Sequence, residues 1–211
     1  MRVKPRSFVA VVKATERVLR ARRIDHVFVG GLAVLAFGEP RTTMDVDVIA
    51  AYGPADADPL AQEFRRRGFF ASEEDLRDAL TDRTHCTIED RRSRYRVDLS
   101  AATTTPAKDA IAARQAVRWR GMSLPIAGPE HTIVMKLVFG REQDFEDALG
   151  MYRRQQTRLD VERMRGFARE RGVLRELRGL ELTARTLDVD RPKRRRSGRA
   201  ARTRTSSRKQ P

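Results

Sequence analysis

Residues 27–49, VFVGGLAVLAFGEPRTTMDVDVI, constrain this chain more than any other stretch. An apolar run at Val27–Val29 meets Gly30 and Gly31, and a second apolar run follows to Phe37. That order predicts a strand, a tight junction and a helix over Leu32–Phe37. Asp45-Val46-Asp47-Val48-Ile49 then alternates polar and apolar, the period-two pattern of a strand. Side chains on a strand alternate in face, so Asp45 and Asp47 share one face and Val46 and Val48 point into a core. Two neighbouring carboxylates repel, and a divalent cation such as Mg²⁺, which favours carboxylate and phosphate oxygens, offsets this. Glycines at a strand-to-helix junction let a phosphate approach the backbone, where free N–H groups and the positive dipole end point outward. A phosphate cradle beside a metal-binding acid pair suits phosphoryl or nucleotidyl transfer. Singly, the features have plainer readings, a tight turn for the glycines and an exposed strand face for the acids.

Together they resemble the polymerase-β-like nucleotidyltransferase superfamily, whose hallmark is strand, GG or GS, helix and DxD strand. Gly38-Glu39-Pro40-Arg41-Thr42-Thr43 before Asp45 is similar to the G-x-x-R-x-T-x-D-x-D form of the minimal members, among them the AbiEii-like toxins. A later segment extends the likeness. Pro129-Glu130 to Lys136, then Arg141, Asp144 and Asp147, resemble P-E-x-x-I-x-x-K and R-x-x-D-x-x-D of the same group. The resemblance covers about residues 24–150. It implies an α/β (α+β) fold: a short mixed β-sheet flanked by helices, with further C-terminal helices. It implies a third metal-site carboxylate on a later strand, where Asp98 in Tyr95–Ser100 fits. An ordinary strand aspartate is the plain alternative there, with Glu89 and Asp90 as rival acids. The implied activity is transfer of NMP from an NTP to an acceptor. Asp45, Asp47 and Asp98 would hold Mg²⁺ or Mn²⁺, and Gly30, Gly31, Arg41 and Lys136 would bind the nucleotide. Arg41 could equally do no more than pair with a carboxylate, Lys136 could be a solvated helix lysine, and Arg141 could form an i,i+3 ion pair with Asp144. Leu32 stands where many members carry the serine of a GS pair. The acceptor is open among a tRNA or other RNA end, a protein and a small molecule. A toxin–antitoxin pairing, with an antitoxin as protein partner, is also implied.

Charge divides the chain. Lys and Arg number 44 against 29 Asp and Glu, a formal +15 with a pI near 11.1. Nine positive charges and no acid fall in residues 192–211, leaving +6 for the rest. Such a tail has little to bury, so it is expected to be disordered and to attract RNA or DNA phosphates. The expected division is a nucleotidyltransferase core over residues 1–150, a helical extension over 151–190 and a basic tail over 191–211. A non-catalytic nucleic-acid-binding or interaction protein is the competing class.

Other features exclude more than they assign. Cys86 is a single cysteine, so no internal disulfide forms. Three histidines beside it give no zinc spacing. No apolar run approaches the length of a membrane span, and no signal-like segment follows the basic N-terminus, so a cytoplasmic location without membrane attachment is expected. Leu174, Leu177, Leu180, Ala184 and Leu187 make a helical stripe suited to core packing.

Overall fold

The computed structural model describes residues 5–189, with the side chains of 188 and 189 left out. The basic tail therefore lies outside the described residues. Among these, nine α-helices, one short 3₁₀ turn and seven strands alternate along the chain. Helix α1 (Phe8–Ala21) starts where Ser7 Oγ accepts the Ala10 N–H, and buries Val11, Val12, Val18 and Leu19 on one face. Strand β1 (His26–Phe28) is buried throughout, as befits a central strand. Helix α2 (Gly30–Phe37) begins directly at the glycines, two residues earlier than the periodicity predicts.

Strand β2 (Asp45–Ala50) alternates in burial as its sequence demands. A 3₁₀ turn (Pro54–Asp56) leads into α3 (Ala57–Arg66), the two-residue edge strand β3 (Phe69–Phe70) and α4 (Glu73–Thr81). Ser72 Oγ caps α4 by accepting the Glu74 and Asp75 N–H groups. The hairpin β4 (His85–Asp90) and β5 (Arg96–Ala101) comes next, then α5 (Thr105–Ala112) and a second hairpin, β6 (Arg114–Trp119) and β7 (Met122–Ala127). Helices α6 (Pro129–Phe139), α7 (Glu142–Gln155), α8 (Val161–Glu170) and α9 (Leu174–Val189) complete the described chain. No helix among the described residues is long and apolar enough to cross a membrane.

The strands form one mixed sheet in the order β3-β4-β5-β2-β1-β7-β6. Strand β2 runs antiparallel to β1 and parallel to β5, and β1 runs parallel to β7. One sheet face carries the main core, where Val46, Val48, Val97 and Leu99 meet Val12, Leu19, Leu60, Phe64 and Leu76. A second core gathers Val34 of α2 with Ile133, Val134, Met151, Met164, Leu177 and Leu180. The α9 stripe is thus core packing at Leu177, Leu180 and Ala184, whereas Leu187 is exposed. On the other sheet face a small cluster of Val27, Ala110, Ile111 and Ala127 seats α5. Ile49, on the same face as Asp45 and Asp47, packs against it. The far end of that face is left uncovered, and the acids stand there.

Candidate active site

The register fixes the acids. Parallel pairing sets Asp45 opposite Arg96, Val46 opposite Val97 and Asp47 opposite Asp98. All four polar side chains point to one face because residues two apart on a strand do so. Asp98 is also opposite Thr87 of β4, whose hydroxyl donates to Asp98 Oδ1 at 2.9 Å. Arg96 places its Nε 2.8 Å from Asp45 Oδ1 and 3.9 Å from Asp98 Oδ1. Sequence reasoning missed Arg96, although the same alternation that aligns Asp45 with Asp47 aligns Arg96 with Asp98. The rival acids do not line the cleft, although Glu89 is opposite Arg96 on the same sheet face. Asp90 is buried and ion-paired to Arg6 at 2.7 Å, and Glu89 lies on the exposed side of β4 towards the hairpin turn.

The glycine junction closes onto the same acids. The Gly31 N–H donates to Asp47 Oδ2 at 3.3 Å. Gly30 has φ +55, in the left-handed region, and a Cβ there would overlap the Asp47 carboxylate. A Cβ on Gly31 would sit 2.6 Å from Thr43 Oγ1. The N-cap residue of α2, Val29, has no side chain that caps the helix, and the Asp47 carboxylate takes the Gly31 N–H of its first turn instead. Gly30→Ala combines left-handed strain with displacement of Asp47. We expect it to lower stability by about 1–3 kcal/mol and to rotate the Asp47 carboxylate, as measured by urea unfolding and a crystal structure of the variant.

A cleft of about 1010 Å³ opens over this face. Asp45, Asp47, Asp98, Gly30, Gly31, Arg41 and Lys136 all line it, so the structure brings these seven to one cavity, whereas Asp144 and Asp147 lie behind its wall and do not line it. Burial pushes the Asp47 carboxyl above its ordinary value, and Asp98 and Asp45 push the same way, against the Gly31 N–H and Lys136. Lys136 is itself buried between two acids, with Nζ 2.7 Å from Asp144 Oδ1 and 2.8 Å from Asp147 Oδ2. Arg41 Nε meets Asp147 at 3.2 Å and Arg141 Nε meets Asp144 at 2.7 Å. Two acids and three cations therefore form one network along the cleft wall. Arg83, Thr84 and His85 make the opposite lip.

Among the described residues no group of three or more His, Cys, Asp or Glu stands at metal-holding spacing. The chemistry of the acids still fits a hard cation. Three carboxylates share one face, and Asp47 is raised by burial and then by its two like-charged neighbours. The Arg96 guanidinium already supplies positive charge to Asp45 at the spot.

No family model and no curated protein matches the sequence. Solved structures do. The crystal structure of ANT(2")-Ia in complex with adenylyl-2"-tobramycin matches at a TM-score of 0.52 and 16% identity, over 80% of this chain and 97% of that one. The solution structure of the antibiotic-resistance factor ANT(2'')-Ia matches at a TM-score of 0.51 and 12% identity, over 85% and 97%. A candidate nucleotidyltransferase from Thermotoga maritima is also similar, at a TM-score of 0.45 and 18% identity, over 66% and 88%. At such identities the likeness is one of architecture, and it agrees with the mixed sheet and its flanking helices: the chain has the nucleotidyltransferase fold.

Proposed function

We propose that this chain is a metal-dependent nucleotidyltransferase that moves NMP from an NTP to an acceptor and releases pyrophosphate. The observation that carries the reading is the pairing of Asp47 with Asp98, beside Asp45, beneath the Gly30–Gly31 turn. Asp45, Asp47 and Asp98 would hold Mg²⁺ or Mn²⁺, which supplies Lewis-acid charge to the triphosphate and to the attacking oxygen. The Gly30–Gly31 turn, which carries no Cβ atoms, would let the phosphates approach the backbone at the start of α2. Arg41 and Lys136 offset the charge that builds on the pyrophosphate as its bond to the α-phosphorus breaks. Asp98, nearest the Arg83–His85 lip, orients the acceptor hydroxyl and takes its proton as the new P–O bond forms.

The lip favours an anionic acceptor. Arg83, His85 and Arg96 line the cleft beside Asp98. Such a rim attracts an RNA end, a tRNA among them, and repels a polycation of the tobramycin kind, the moiety named in the ANT(2")-Ia complex. The nine positive charges of residues 192–211 add to that attraction. With the AbiEii-like segment at residues 129–147, these features suggest the toxin of a toxin–antitoxin pair.

The test is incubation of the full chain with each labelled NTP, Mg²⁺ and either total tRNA or an aminoglycoside. Label is expected on RNA. Label on the aminoglycoside alone rejects the RNA assignment, and label on neither, with RNA still bound, favours the non-catalytic nucleic-acid-binding class. The carboxylates give an independent readout. Because the folded-state value of Asp47 is raised, its ionisation disfavours the metal-free fold. Its stability contribution is present below the unfolded value near pH 4 and is lost as pH rises through the folded value. Asp47→Asn should therefore melt above the metal-free wild type at pH 7, with the gap closing in acid. Mg²⁺ should raise the melting temperature of the wild type and leave that of Asp47→Asn unmoved, which calorimetry checks.

A further inference from the structure

We propose that Phe139 is the platform on which the base of the bound nucleotide stacks. The inference rests on the nucleotidyltransferase reading and deepens it. Phe139 is the last residue of α6, which Gly140 ends in the left-handed conformation. Its ring is 59% exposed, yet it lines the cleft. Thr132, Met135, Lys136 and Phe139 all line that cavity, and their spacing of three and four puts them on one face of the helix. Phe139 follows Lys136 by three residues, about 4.5 Å along the axis. The cationic end of the cleft and the aromatic ring are therefore neighbours on one wall. Arg41 and Arg141, bound to Asp147 and Asp144, stand beside Lys136 at the polar end. A nucleotide has matching halves: an anionic triphosphate for the arginines and glycine N–H groups, and a flat apolar base for the ring. Every base offers a π-face, so an exposed phenyl ring beside a phosphate site recognises this ligand class without reading its edges.

The test is calorimetric titration of the full chain with ATP, GTP, CTP, UTP and inorganic tripolyphosphate, each with Mg²⁺. Wild type, Phe139→Ala and Phe139→Trp are compared, with a melting curve for each. Phe139→Ala is expected to melt with the wild type, because so exposed a ring contributes little to packing. It should bind the preferred NTP about tenfold more weakly, the loss of one base–aromatic stack. Phe139→Trp should retain that affinity, and tripolyphosphate should bind all three proteins alike. Equal NTP affinity in wild type and Phe139→Ala overturns the platform and leaves the transferase reading standing. An equal loss of tripolyphosphate binding in Phe139→Ala also overturns it, because the ring would then act through the phosphate site. Failure of the wild type to bind any NTP or tripolyphosphate overturns the transferase reading itself, and the platform with it.

Discussion

Asp98→Asn is expected to cost on the order of a thousandfold in turnover, the rate equivalent of about 4 kcal/mol, with the fold intact. Asparagine keeps an oxygen to accept the Thr87 hydroxyl, which meets Asp98 Oδ1 at 2.9 Å. Its volume matches that of aspartate, so β5 keeps its pairing with β2 and β4. What disappears is one negative charge opposite Asp47 and, in the proposed reaction, the group that would receive the acceptor proton. Steady-state transfer of labelled NMP, set beside an unchanged melting curve, separates this loss from misfolding. Wild-type turnover in Asp98→Asn would remove the third carboxylate from the site and transfer its role to another group.

Lys136→Ala is expected to destabilise the protein by about 3–5 kcal/mol, the cost of removing one partner from a buried ion pair. Asp144 and Asp147 are 1% and 6% exposed, and the lysine ammonium lies within 2.8 Å of both. Arg41 and Arg141 remain, but each reaches only one of the acids. For a chain of this size the loss corresponds to roughly 10 °C in melting temperature. The pH dependence carries a sign. Burial pushes the Asp144 carboxyl up, but hydrogen bonds from Arg141 and Lys136 outweigh it and hold the group below its ordinary value. That stability is present above the unfolded value near pH 4 and is lost as pH falls through the folded value. Without Lys136 the balance moves towards burial, so the stability gap between wild type and Lys136→Ala should narrow in acid. Urea unfolding at pH 7 and again well below pH 4 checks both points. A variant that unfolds with the wild type would show that the ammonium is free to serve the nucleotide alone.

The parts of this molecule that were legible in sequence are those governed by short-range periodicity. Alternation marked β2 and β5 and put Asp45, Asp47 and Asp98 on exposed faces. Ser7 and Ser72 are of the residue type favoured at helix N-caps, and Gly121, of the type favoured in tight turns, joins β6 to β7. Phe69–Phe70 is an edge strand, paired only with β4 among the described residues. Long-range choices were not legible. Nothing local says that β7 joins the sheet beside β1, because one parallel contact, Phe28 with Ile126, decides it. Lys136 stood out as a rare lysine among arginines, but its clamp by Asp144 and Asp147 depends on how α7 folds back along α6. Arg96 was hidden among many arginines, and only the register with Asp45 distinguishes it. Phe139 carries no local signal that sets it apart from the other apolar residues near it. Its exposure follows from where α6 ends.

The parallel alignment of β2 with β5 also makes the cleft a proofreader of its own assembly. A slip of one residue between these strands would turn Asp98 into the core and bring Val97 or Leu99 out beneath the glycines, since side-chain direction reverses at every step. Chains so misaligned would carry the right sequence and much of the right secondary structure, yet would hold no cation. On the proposed function, cation affinity in a preparation of this protein would therefore count the correctly threaded molecules, which far-ultraviolet spectra would not separate from the rest. A divalent ion added during refolding should likewise draw the population towards the threading that can bind it, because any species that favours one arrangement enriches that arrangement by mass action.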